Sequence, residues 1–320
     1  MKRLLLVLAG FAFASAAAAQ PYPSKPVKLV VGFGAGGPTD VIARIVAQDL
    51  TVSMGQAFLV ENRPGANAII ATEFVARSAP DGYTMLFSSL SLLVNSILPG
   101  SKVSYDPFKD FAPVSNAAVL PMVVVTSPET KMSSMQELIA RAKAQPGELS
   151  YGTSGHAGST HLAGAMLENF TGTKMINVPF KGNGPALAEV MAGRVTFMFY
   201  PAVGIAELVA QKRLKVLAVG TARPRADFPG VPTLEEMGLR GFEATAPWVG
   251  VLAPAGTPPA IVNLVSAEMR KSLARPETQT RMKQLGAITV ADSPAEFAAF
   301  LKKDHERWAQ VIKTAGIKAE

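Results

Sequence analysis

The chain has 320 residues, no cysteine, 31 lysines and arginines against 24 aspartates and glutamates, and a formal net charge of +7. Without cysteine there are no disulfides and no thiol chemistry. The modest charge, scattered and without an aromatic–basic stripe, excludes a nucleic-acid surface and suits an acidic ligand, while the length is enough for a substantial core and two domains.

Lys2-Arg3, the apolar stretch Leu4–Ala18 and the small residues Ala17-Ala18-Ala19 before Gln20 read as a secretory signal peptide, residues 1–19, cleaved near Ala19-Gln20. A membrane anchor is the competing reading, but the run is short, ends in small residues and lacks stop-transfer charges. The mature chain is therefore expected to be exported and soluble. Val27–Val31 is a β-branched run expected to form a buried strand. Gly32-Phe33-Gly34-Ala35-Gly36-Gly37-Pro38 breaks it, and Thr39 or Asp40 is expected to cap a helix carrying Val41, Ile42, Ile45 and Val46 on its apolar face. Such a strand–loop–helix turn sets backbone N–H groups beside the positive end of a helix dipole, a receptor for an anion. Gly32-x-Gly34-x-x-Gly37 also fits the dinucleotide fingerprint, with Glu61 as a downstream acid. Pro38, at the entry to the helix, and an exported compartment without a soluble nicotinamide pool argue against that reading.

Phe58–Gly65 reads as a strand and a turn followed by the small residues Ala66–Ala71, Ile69–Ser78 as a helix stopped by Pro80-Asp81-Gly82, and Tyr83–Phe87 as a strand opening into a loop at Ser88–Ser91. The alternation predicts a mainly parallel α/β sheet with ligands beyond the carboxyl ends of its strands. One apolar run, Ala117–Val125, follows, then a Ser-capped helix over Ser133–Ala144 and a short strand at Leu149–Gly152. Thr153–His161 and Asn177–Pro185 are further Gly-rich loops, leading into helices through Phe170 and over Ala186–Ala192. Strands are expected at Phe197–Tyr200 and Leu214–Val219, and a connecting strand within Phe242–Pro254. Helices at Pro259–Leu273, through Arg281–Leu285 and at Pro294–Thr314 then cover the first sheet. This predicts residues 20–118 with 245–320 as one domain and 119–244 as the other, joined by crossings near Val119 and Thr245.

Few residues suggest catalysis. Ser154 with His156 or His161 invites a hydrolase, yet His156 occupies the second glycine position of G-x-S-x-G, and one loop does not supply an oriented base. The histidines lack metal-ligand spacing, so neither a metal nor a cofactor is expected. Lys181 is either a counter-charge to an anionic ligand or a surface lysine; Trp248 either walls a ligand or fills the core between the domains.

The segments Tyr22-Pro23-x-Lys25-Pro26-Val27, Gly36-Gly37-Pro38-Thr39-Asp40 with Ala43-Arg44, and Glu61-Asn62-Arg63-Pro64-Gly65-Ala66 occur in order. They continue as Asp81-Gly82-Tyr83-Thr84, Tyr105-Asp106-Pro107-x-Lys109-Asp110-Phe111, Tyr151-Gly152-x-Ser154-Gly155, Val178-Pro179-Phe180-Lys181-Gly182 and Trp248-x-Gly250. The set resembles the periplasmic solute receptors of tripartite tricarboxylate transporters, the Bug-type family, across essentially the whole mature chain. The resemblance implies a type II periplasmic-binding-protein fold: two α/β domains, joined by two crossings, closing on a small carboxylate delivered to two inner-membrane subunits. By position it assigns the first loop, with Phe33, Gly36, Gly37, Pro38, Thr39 and Asp40, to the carboxylate, through backbone N–H groups and ordered water. Ser88, Ser89, Thr153, Ser154, Ser159, Pro179, Phe180, Lys181 and Gly182 supply the remaining contacts. Many relatives carry an acid where this chain has Tyr200, so a ligand ammonium is not expected, and Gly34-Ala35 stands where many have a proline. The expected protein is a monomeric, cofactor-free periplasmic receptor and not an enzyme. A secreted serine hydrolase and a ligand sensor on the same fold are the alternatives.

Overall fold

The computed structural model describes residues 21–315; the expected signal peptide lies outside them. The first β-branched run is strand β1 (Val27–Val31), followed by helix α1 (Pro38–Met54), β2 (Phe58–Asn62), α2 (Ile69–Ala76), β3 (Thr84–Ser89), α3 (Ser91–Ile97) and β4 (Phe111–Val119). Next come β5 (Met122–Thr126), α4 (Met135–Ala144), β6 (Ser150–Thr153), α5 (Ser159–Thr171), β7 (Ile176–Pro179), α6 (Asn183–Met191), β8 (Phe197–Pro201), α7 (Ala206–Ala210) and β9 (Lys215–Val219). The chain closes with β10 (Trp248–Pro254), α8 (Pro259–Leu273), α9 (Pro276–Gln284), β11 (Ile288–Thr289) and α10 (Pro294–Ala315).

These strands form two sheets, in the orders β11-β4-β10-β3-β1-β2 and β7-β6-β8-β5-β9. Neither is mainly parallel. β1 runs parallel to β2 and β3, and β6 to β7 and β8, but β10 lies antiparallel between β3 and β4 and β5 antiparallel between β8 and β9. Both inserted strands are the first after the chain has passed from one sheet to the other. β5 follows β4 after only Leu120-Pro121, without the helical crossover that a parallel neighbour needs, whereas β10 is reached by the longer connection 220–247; both enter their sheets from the opposite end.

The expected single run Ala117–Val125 is two strands in two sheets. Pro121 breaks it, because a residue without an N–H cannot extend the ladder. Leu120 N–H donates to Pro247 O at 2.8 Å, tying the two passages together, and Ala202 N–H donates to Pro121 O at 2.8 Å.

Both faces of each sheet are covered. α1 and α8 bury Ile42, Ile45, Leu50, Val265 and Met269 against one face of the first sheet, while Leu92, Phe297 and Leu301 cover the other. The second sheet is sandwiched between the Leu138–Leu167–Phe242 cluster and the Leu187–Val190–Ile205 cluster. Trp248 is core: it is 1% exposed, meets Phe297 edge-on at 5.3 Å and donates from Nε1 to Asp304 Oδ2 at 3.1 Å.

Candidate functional site

The cleft between the sheets contains a chamber of about 440 Å³ and, adjoining it, a recess of about 10 Å³, with room for roughly one water. Phe33, Asn67 and Ser154 line both. Part of the wall comes from segments just beyond strand carboxyl ends: Gly32-Phe33 after β1, Ser89 and Ser91 around the end of β3, Ser154–His156 after β6, and Pro179–Lys181 at the end of β7; the rest of the chamber is Gly65–Ile69 and the end of α3 with the segment after it, from Asn95 to Lys102. Pro201 and Pro247 close the recess beside the inter-sheet passages.

Four helices begin here. Thr39, Ser159 and Asn183 stand in the first turns of α1, α5 and α6 on the recess, while Ala68-Ile69 opens α2 on the chamber. None of the four has a side-chain cap, and Gly37, Gly158 and Gly182 occupy the cap positions of α1, α5 and α6. Ser134 caps α4, but α3, α7, α8 and α9 also lack a side-chain cap, so what sets the cleft apart is where these four helices point and the glycine at three of their cap positions. Leading N–H groups without intrahelical acceptors, at the positive ends of four dipoles, concentrate positive potential in the cleft. Lys102 and Lys181 add cations at the exposed side of the chamber, and among the described residues no aspartate or glutamate lines either cavity. The arrangement favours an anion and offers no counter-charge to an ammonium.

The first loop is braced from within. Asp40, expected as a cap or ligand contact, is at the third position of α1 and 2% exposed. Its Oδ2 accepts from Gly36 N–H at 2.9 Å and Arg44 Nε at 2.9 Å, and its Oδ1 from Asn62 Nδ2 at 2.8 Å. Burial raises its pKa, but the bonds from Arg44, Gly36 and Asn62 outweigh it, and the carboxyl lies below its ordinary range. Pro38 opens α1, where its missing N–H costs nothing. The true cap is Gly37.

Of the other assigned residues, Thr39, Ser89, Ser154, Ser159, Pro179, Phe180 and Lys181 line the cavities together with Phe33. Gly36, Gly37, Pro38, Ser88, Thr153 and Gly182 do not. Thr153 Oγ1 instead donates to Asn177 Oδ1 at 2.9 Å, and Ser88 is buried. Tyr200 is 3% exposed in the core of the second sheet, and burial pushes its phenol pKa up. The next residue, Pro201, reaches the recess, because successive strand residues point to opposite faces.

The sequence suggested a turn at Pro64-Gly65, but not the left-handed run that continues it to Ile69. Ala66, Asn67 and Ala68 all have positive φ, at 44°, 48° and 72°, a conformation that L-residues disfavour. A reciprocal pair holds it: Asn67 Nδ2 donates to Asn95 Oδ1 at 3.0 Å, and Asn95 Nδ2 to Asn67 O at 2.8 Å. The turn aims the start of α2 into the chamber. Only Gly65-Ala66-Asn67 hinted at it. Buried Asn67 Oδ1 and Asn183 Oδ1, both on recess-lining residues, have no hydrogen-bond partner among the described residues. With the neighbouring hydroxyls they meet the polarity and size requirements of an ordered water.

Ser154 and His161 are each engaged within their own loop. Ser154 Oγ lies 3.3 Å from Thr160 Oγ1, and His161 Nδ1 accepts Ala157 N–H at 2.8 Å. Glu61, the acid of the dinucleotide reading, is held by Arg63 and Lys28.

The profile described as "Tripartite tricarboxylate transporter family receptor" matches residues 42–317. BugT of Bordetella pertussis is 36% identical over 326 residues, covering 99% of each chain. Among solved structures, the periplasmic binding protein BugD superposes with a TM-score of 0.89 at 32% identity, over 93% of this chain and 100% of that one. An R. palustris protein solved with adipate gives 0.89 at 33%, over 93% and 99%. MatC of Rhodopseudomonas palustris, with bound malate, gives 0.86 at 28%, over 91% and 100%.

Proposed function

The chain belongs to the tripartite tricarboxylate transporter receptor family, and from that membership we propose that it captures a small organic carboxylate between its two α/β domains and delivers it to a membrane transporter. The observation that carries this reading is the convergence of four uncapped helix N-termini on a cleft with no acidic lining. Neutral backbone donors stabilise a carboxylate without the desolvation cost of a buried cation. The adipate and malate bound by two relatives are carboxylates of the same class. In this reading Thr39, Ser89, Ser154, Ser159 and the leading N–H groups of α1, α5 and α6 hold the carboxylate, directly and through water, and no ligand ammonium is required.

The protein acts in the periplasm as a monomer, exported by residues 1–19 and cleaved near Ala19-Gln20, and its partners are two inner-membrane subunits. Residues 20–118 with 245–320 make one domain and 119–244 the other, a division supported by the passage between sheets at Leu120-Pro121 and the return into β10. It binds and does not catalyse: the hydrogen bonds of Ser154 and His161 favour a ligand loop over a nucleophile and its base.

Thermal shift of residues 20–320 against a carboxylate panel tests the reading. A ligand at a hundred times its Kd stabilises the folded state by about 2.7 kcal/mol. At least one carboxylate is expected to raise Tm, whereas cationic and neutral analogues are not. A panel in which no carboxylate moves Tm overturns the reading.

A further inference from the structure

The recess has room for roughly one water, and an acceptor on its wall has a fixed aim. Asn95 Nδ2 donates to Asn67 O, a carbonyl that can only accept, so the orientation of the Asn95 carboxamide is set. Its Oδ1 must then accept from Asn67 Nδ2. This turns Asn67 Oδ1 away from the pair, buried and without a hydrogen-bond donor among the described residues. The space beside it is kept clear by Gly158, which also lines the recess and has φ −65°, a value open to any residue. A Cβ on Gly158 would stand 3.2 Å from Asn67 Oδ1, 2.9 Å from Ser154 Oγ and 3.3 Å from Gly155 O. Glycine is required here for room and not for backbone freedom, and the room it leaves is bordered by oxygens.

A carboxylate oxygen brings no hydrogen to Asn67 Oδ1, and one buried acceptor set against another is unfavourable. A hydroxyl brings one, and its oxygen is the size of the water that the recess admits. The N-termini of α1, α5 and α6 open on the same recess. A carboxylate held by their N–H groups leaves the recess to a substituent on its adjacent carbon. We propose that the receptor reads a hydroxyl on the carbon next to the bound carboxylate, through donation to Asn67 Oδ1, and so prefers 2-hydroxy acids. This rests on the carboxylate reading above and specifies a part of the ligand which that reading leaves open. With an acid that lacks the hydroxyl, a separately held water takes the same place. The preference is therefore that of one neutral hydrogen bond, about threefold to tenfold.

The experiment is calorimetric titration of residues 20–320 with matched acids: propionate and both enantiomers of lactate, butyrate and both enantiomers of 2-hydroxybutyrate, succinate and both enantiomers of malate, and 2-fluoropropionate. In the sets that bind, one hydroxy enantiomer is expected to bind about threefold to tenfold tighter than the acid without the hydroxyl. 2-Fluoropropionate, whose fluorine fills similar space but has no hydrogen to donate, should bind no tighter than propionate. Asn67→Gly, suited to the left-handed φ of 48°, should reduce the preference below twofold, with circular dichroism verifying its fold. Should that variant not fold, the fluorine comparison in the parent protein decides. No hydroxy preference in any set, 2-fluoropropionate matching the tighter lactate, or an unchanged preference in folded Asn67→Gly overturns the proposal while leaving carboxylate capture standing. Failure of every acid to bind removes the carboxylate reading and this proposal with it.

Discussion

At the scale of single residues, His161 shows how a buried side chain shapes the ligand loop. Burial, with the His156 ring 4.7 Å away, lowers its pKa from 6.5 to about 4. The neutral ring accepts Ala157 N–H and so holds Ala157 at φ 55°. Between about pH 6.5 and 4 the unfolded chain carries a proton at this position that the folded chain lacks, so stability falls as pH is lowered through that window. The effect is on the order of 1–3 kcal/mol. Urea midpoints at pH 7 and 5 should converge in His161→Gln relative to the parent protein; an identical pH dependence in both would show that His161 does not titrate in this way. Residue identity announced that the loop mattered but not how each side chain is used. Asp40 turned inward to Arg44 and Asn62, and Tyr200 faced the core, because both outcomes depend on neighbours distant in sequence.

At the scale of elements, the glycine loops are seams as well as donors. A Cβ at Gly34 would lie 3.5 Å from Lys181 O, one at Gly182 3.4 Å from Gly34 N, and one at Gly37 3.8 Å from Gly184 N. The loops leading into α1 and α6 thus meet backbone to backbone across the cleft. Gly34→Val or Gly37→Val, at positions without positive φ, should weaken carboxylate binding tenfold or more while moving the ligand-free Tm by no more than about 2 °C. A Tm loss as large as the affinity loss would mark these as structural glycines only. The loops were legible from glycine clusters between apolar runs. α3 and β7 were not: Ser91–Ile97 follows a strand without a breaker, and β7 carries Pro179, which an edge strand tolerates.

At the scale of the molecule, a ligand that touches loops from both sheets favours the arrangement in which those loops meet, and so shifts the population toward it. The passages at Leu120-Pro121 and Pro247, joined by a hydrogen bond, are the expected hinge of that proposed closure. Small-angle scattering of residues 20–320 should give a smaller radius of gyration with saturating carboxylate than without. Tryptophan emission, with Trp248 directly after Pro247, should change in parallel. An unchanged scattering profile would indicate a rigid, preformed pocket.

Most of the strands and helices, α3 and β7 excepted, and the glycine-rich turns after β1 and β6 follow from local properties: apolar period, turn chemistry and residue type. Family resemblance was likewise carried by short contiguous segments. The antiparallel insertion of β5 and β10, the split at Pro121 and the left-handed turn at Ala66–Ala68 were decided by tertiary structure. Each depends on which surfaces meet after the chain has crossed twice between sheets, and pairings over such sequence distances leave no period in the chain itself.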